Sequence, residues 1–129
     1  MALSLALAGA AGCSLDGGEP RPARGAAREV AGVVARLERA SARGDWRAVC
    51  DDLFTSSARR RAGGRDCSRL LRSDAEGLAR PRIDVLGIVI RGRRARARVR
   101  TRARGQAPVR DVIELRRERG AYRIEALAG

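Results

Sequence analysis

Three cysteines, one alternating arginine stretch and a thin scatter of carboxylates are the residues of this sequence whose types and spacing could do chemistry. Cys13 closes an apolar run behind Ala10, Ala11 and Gly12, whereas Cys50 and Cys67 lie well inside the chain. Arg94, Arg96, Arg98, Arg100, Arg102 and Arg104 alternate with Ala95, Ala97, Val99, Thr101 and Ala103. Asp84, Asp111 and Glu114 are the carboxylates of the neighbouring extended sequence, and Tyr122 is the single tyrosine. Histidine is absent, which removes imidazole metal sites, Ser-His and Cys-His nucleophile pairs and histidine pH switches. There is no Cys-x-x-Cys spacing, and two cysteines without histidine make a poor zinc site, so no metal, no cofactor and no catalytic residue is expected.

The chain has 129 residues, enough for one domain, and carries 28 basic against 15 acidic residues for a net charge of +13. All the basic residues are arginine, and both lysine and asparagine, whose codons begin AA, are missing. Part of the arginine excess therefore reflects a GC-rich genome. The charge still acts physically, drawing the protein towards anionic lipid, cell-wall phosphate or nucleic acid.

Two readings compete for the arginine stretch. It could follow a phosphate backbone, or it could be the wet face of a strand helped by Asp84, Asp111, Glu114 or Glu118 on neighbouring strands. The wet face is favoured over nucleic acid, because the interleaved residues are Ala, Val and Thr, and Trp46, Phe54 and Tyr122 are too few to build a base-stacking platform. A tethered domain could also lie against anionic lipid or wall polymer, each exposed arginine near such a surface being worth about 1 kcal/mol.

Residues 2–11 contain only Ala, Leu, Gly and one Ser, too short a run to span a bilayer, and end in small residues before a change to polar sequence. That is the form of an export signal. Its end resembles the lipobox of bacterial lipoproteins, which implies cleavage after residue 12 and acylation of Cys13, with Ala10 standing where leucine is usual. The missing basic n-region fits a start codon assigned too far downstream. Residues 14–26, with Gly17, Gly18, Pro20, Pro22 and Gly25 among charges, continue from Cys13 as a flexible tether.

From Ala27 the pattern turns helical: Val30, Val33, Val34, Leu37 and Ser41 share one face, Gly44 can close the helix, and Asp45 can cap the next. Trp46, Val49, Cys50, Leu53 and Phe54 repeat the spacing. After a basic turn over residues 59–65, Asp66 can cap a third helix with Cys67, Leu70, Leu71, Ala75 and Leu78 on its apolar face, ended by Pro81. The period then drops to two. Four strands are expected over 83–90, 94–104, 109–117 and 122–127. Residues 27–129 thus read as an α+β domain, three amino-terminal helices on a curved four-stranded antiparallel sheet. Cys50 and Cys67 fall on the apolar stripes of separate helices, and outside the cytosol two such thiols are candidates for a disulfide; two reduced thiols acting as small hydrophobes are the alternative.

The order of elements over residues 29–127 resembles the nuclear-transport-factor-2-like, or cystatin-like, superfamily. The residues that carry the resemblance are Arg43-Gly44-Asp45 before Trp46-Arg47-Ala48-Val49-Cys50, the Phe54-Thr55-Ser56-Ser57-Ala58-Arg59 segment, Ile90-Arg91-Gly92 before Ala95, Ala97 and Val99, and the closing Gly120-Ala121-Tyr122-Arg123-Ile124. It is most similar to small secreted or lipid-anchored actinobacterial members. The resemblance implies a cone in which helices close the open side of the sheet, and it brings in isomerases and cyclases that work in the cone cavity with an acid and a base. No motif of those enzymes is matched. The expectation is therefore a non-enzymatic, lipid-anchored binding module on the outer side of the cell membrane, with anionic lipid or wall polymer as candidate partner. The alternatives are a basic cytosolic nucleic-acid binder and a small-molecule isomerase or cyclase.

Overall fold

A computed structural model describes residues 20–128. The expected signal peptide, Cys13 and the first part of the tether lie outside the described residues. Helix α1 (Pro20–Arg43) starts ahead of the expected Ala27, so residues 20–26 of the expected tether have helical backbone. Proline is at home in a first turn, where its missing amide hydrogen would have had no intrahelical partner, and Ala26 and Ala27 then propagate the helix. The stripe of Val30, Val33, Val34 and Leu37 is buried as expected, joined by Ala40. Gly44, at φ 69°, closes α1: its amide donates to Ser41 O at 3.1 Å, and that of Asp45 donates to Ala40 O at 2.8 Å.

Asp45 caps the next helix, its Oδ1 accepting from the Ala48 amide at 3.2 Å. The expected single second helix is instead one α-turn, α2 (Trp46–Ala48), running into a π-helical turn (Val49–Leu53) that buries Val49, Cys50 and Leu53. The chain then straightens, because Phe54 bridges to Ile124 and the Thr55 amide donates to Ile124 O at 2.9 Å. An unexpected helix, α3 (Ser56–Arg61), comes after it where part of a basic turn had been read. Thr55 begins it, its fully buried hydroxyl accepting from the Ala58 amide at 3.0 Å.

A 3-10 turn (Gly64–Asp66) leads into α4 (Cys67–Asp74), which is shorter than expected and has Cys67 as its buried residue. Asp66 makes no side-chain cap; it pairs instead with Arg69 at 3.5 Å. Leu70, expected on the apolar face, is exposed, and Leu71 is only partly buried. The disulfide from Cys67 to Cys50 in the π-turn, with Cα atoms 6.1 Å apart, fixes α4 to the body.

Strands β1 (Arg82–Arg91), β2 (Arg94–Arg102), β3 (Val109–Glu118) and β4 (Ala121–Ala128) form an antiparallel meander in the order β1-β2-β3-β4. The β3–β4 hairpin turns at Arg119 and Gly120, both at positive φ, as a two-residue turn matched to strand twist requires. A bulge between Val85 and Gly87 reverses the facing of β1 halfway along. Ala95, Ala97, Val99, Ile113, Leu115 and Ile124 form the inner face, packed with the stripes of α1 and the π-turn in one core. Phe54 is buried in that core, and Trp46 and Leu71 pack against it.

Because the cross-link holds a helix with little other buried surface, replacing both Cys50 and Cys67 by Ser is expected to lower stability by about 3 kcal/mol. Denaturant midpoints of wild type and double variant check this. An unchanged midpoint would show that α4 is held by packing alone.

Candidate anion-binding face

β2 stands in the middle of the sheet and divides its side chains cleanly. Ala95, Ala97 and Val99 are buried, while Arg94, Arg96, Arg98 and Arg102 are exposed and Arg100 is half-buried. Arg104 is a correction: β2 ends at Arg102, and the Arg104 amide donates to Ala79 O at 2.9 Å, so this residue belongs to the loop after the strand. The register adds arginines from every strand to the outer face. Arg82 and Arg91 come from β1, Arg110 and Arg116 from β3, and Arg123 from β4.

Few carboxylates answer them. Asp84 meets Arg102 at 3.0 Å and Arg100 at 3.4 Å, and Glu114 meets Arg96 at 3.0 Å. Partial desolvation pushes the Asp84 carboxyl up, but hydrogen bonds and charge from Arg102 and Arg100 outweigh it and leave its pKa below the usual value. The other two expected partners lie elsewhere. Asp111 is paired with Val99 in the register and so shares the inner side of the pleat, and Glu118 accepts from the Ser56 amide at 2.9 Å, beginning α3. Arg94 and Arg98 have no ion pair among the described residues. A Cβ at Gly87 would come within 2.5 Å of Arg98 Nη2, so this guanidinium lies across β1 over the glycine.

The ladder is therefore only partly neutralised along its length, two of its arginines sharing one carboxylate. Beside the β1–β2 hairpin, a groove of about 540 Å³ is lined by Val89, Arg91, Arg94, Arg96, Glu114, Arg116 and Glu125. A second cleft of about 480 Å³ lies beyond β4, lined by Arg59, Arg60, Arg119 and Arg123 with Asp51, Glu118, Phe54 and Cys50. Glu125 anchors the wall between these regions. Its Oε2 accepts from the Thr55 hydroxyl at 2.5 Å and lies 3.9 Å from Arg116 Nη2, and Arg61 donates to its backbone carbonyl.

Sequence reasoning missed Glu125, and also the two acids that fasten α1 to the sheet. Glu29 accepts from Arg117 at 3.0 Å and from the Tyr122 amide at 3.2 Å, while Glu38 accepts from the Ile83 amide at 2.6 Å on the edge strand. The available signal is that these are the only carboxylates of α1. Tyr122 is buried beneath the Arg117 guanidinium, 4.4 Å from its ring centroid, and its hydroxyl donates to Gly92 O at 3.2 Å.

The sequence matches no protein-family model and no curated protein. Among solved structures the chain is similar to a de novo designed NTF2 fold protein, NT-9, with 18% identity, a TM-score of 0.54, and coverage of 77% of this chain and 83% of that one. The fold is NTF2-like. In this NTF2-like domain the helices lie on the inner face of the sheet, and the arginines stand on the opposite one. Among the described residues, no helix is long and apolar enough to cross a membrane.

Hydrogen bonding from Ser56 holds the Glu118 carboxyl below its ordinary value of 4.5, against partial desolvation and with help from Arg119 and Arg123. A depressed folded pKa contributes stability above the unfolded value that is lost as pH falls through the folded one. Urea midpoints are therefore expected to drop as pH falls below about 4.5, with a shallower drop in Glu118→Gln, which cannot titrate there. Parallel curves for the two proteins would remove Glu118 from the acid sensitivity.

Proposed function

We propose that this chain is a non-enzymatic lipoprotein of the extracytoplasmic membrane surface, anchored at Cys13, whose NTF2-like domain is a binding module for an anionic partner. The observation that carries the reading is the disulfide between Cys50 and Cys67, since such cross-links persist in oxidising compartments and not in the cytosol. It is supported by the placement of Cys13 after Ala10-Ala11-Gly12 and an apolar run. The anionic character of the partner follows from the outer sheet face, where arginines on all four strands outnumber the carboxylates that could neutralise them.

Catalysis in the cone has less support. Asp84 lies on the outer face between Arg100 and Arg102, while the Tyr122 hydroxyl is committed to Gly92 O, so neither stands as a free acid or base in an open cavity. Nucleic-acid binding has less support for a different reason: Phe54 and Tyr122 are buried, which removes two of the three aromatic surfaces that could stack bases.

Intact mass of the native protein from its source membranes, before and after reduction, tests the reading. Expected are loss of residues 1–12, an acyl mass on Cys13, and two thiols that react only after reduction; Cys13→Ser should leave the membrane fraction. An unprocessed chain with three free thiols in the cytosol would overturn the proposal.

A further inference from the structure

The ladder along β2 is visible in the sequence, but the register creates a second line of arginines running across the strands. Arg91 is paired with Arg94, Arg94 with Arg116, and Arg116 with Arg123, so four arginines on four successive strands stand in one row on the outer face. Strands in a sheet are about 4.8 Å apart, which makes the row about 14 Å long. We infer that this row is the binding site for a linear phosphodiester polymer of the polyol-phosphate kind. The inference rests on the extracytoplasmic reading above, because it is there that such polymers are met.

Like charges directly opposite each other destabilise a sheet, and here three such pairs stand in succession. Packing does not demand them, since the buried side of these strands is carried by Ala95, Leu115 and Ile124 at the alternate positions. The carboxylates beside this row are fewer than its arginines: Glu125 lies 3.9 Å from Arg116 and Glu114 pairs with Arg96, while Arg91 and Arg94 have no ion pair among the described residues. A bound anion would supply the missing charge.

The shape of the site selects the kind of anion. Arg91, Arg94 and Arg116 line the groove beside the hairpin, and Arg123, whose Nη1 is held by donating to Asp51 O at 3.3 Å and Asp52 O at 3.1 Å, lines the cleft beyond β4, where Arg119 and Arg60 also stand. The row therefore runs from one depression into the next. A long, narrow track with positive charge at steps of about 5 Å fits a string of singly charged phosphodiesters, each held by a guanidinium fork, better than one compact ion. Nucleic acid would have the same backbone chemistry, but its bases would find Val89 in one depression and only the buried Phe54 in the other. A flat bilayer presents headgroups in a plane and would reach fewer of the guanidinium groups, which line two separate depressions.

The test uses the purified full chain with poly(glycerol phosphate) as probe, measured by calorimetry over a range of salt. Arg94→Gln with Arg116→Gln removes two members of the row, and Arg100→Gln with Arg102→Gln removes the same charge away from the row, where both arginines pair with Asp84. The row variant is expected to weaken binding by about tenfold or more and to reduce the salt slope by about 2, with the control changed by less than about threefold. The row variant should melt no lower than wild type, because it relieves opposed like charges. If it does melt lower, Arg91→Gln with Arg94→Gln takes its place under the same criterion.

Equal losses in row and control variants would overturn the inference in favour of net charge alone. So would tighter binding to vesicles containing phosphatidylglycerol, or equal affinity for a single-stranded oligonucleotide with the same number of phosphates. A protein found in the envelope that ignores the polymer overturns only this site, whereas a cytosolic protein with free thiols overturns the extracytoplasmic reading itself.

Discussion

The packing of the helices on one face of the sheet constrains everything else in the domain. Ala95, Ala97 and Val99 are small enough to let Val30, Val34 and Leu37 share a core with the sheet, and their alternation with arginine leaves no second register. A slip of one residue would turn Arg94, Arg96, Arg98 and Arg100 into that core, where an unpaired charge costs several kcal/mol. The same pleat that buries alanine thus commits a row of cations to the other face. The charged surface and the core are two consequences of one alternation.

With 15 acidic residues against 28 basic ones, the placing of each carboxylate matters. Several are used as joints. Glu29 ties α1 to the β3–β4 hairpin, Glu38 covers an edge amide of β1, Glu118 begins α3, and Glu125 links Thr55 and Arg61 to β4. Carboxylates spent on backbone amides and inter-element bonds are not available to neutralise the outer face. The positive charge of that face follows from this allocation as much as from the number of arginines.

A core with three aromatic residues in the whole chain and many small side chains has limited apolar area to bury. The disulfide compensates at the weakest place, where α4 contributes Cys67 as its buried residue. Stabilisation, compartment and charge are therefore connected. The cross-link that holds the helices persists in an oxidising setting, and under the lipoprotein reading proposed above that setting would bring the arginine face within reach of envelope anions.

The sequence by itself determined the fold class, the meander and the inner and outer faces of β2, because these depend on local period, and period survives in any environment. It also placed Cys50 and Cys67 on the apolar stripes of separate helices and Gly44 and Asp45 at a helix break. Other features were settled by tertiary contacts. The second helix became a π-turn because Phe54 has to reach Ile124, and a basic turn became α3 because Thr55 is buried there. Asp111 and Glu118 could not be assigned to partners from spacing, since a bulge or hairpin displaced by one residue exchanges the faces of a strand. The row from Arg91 to Arg123 was illegible for the same reason: its members are distant in sequence, and only the pairing of four strands makes them neighbours.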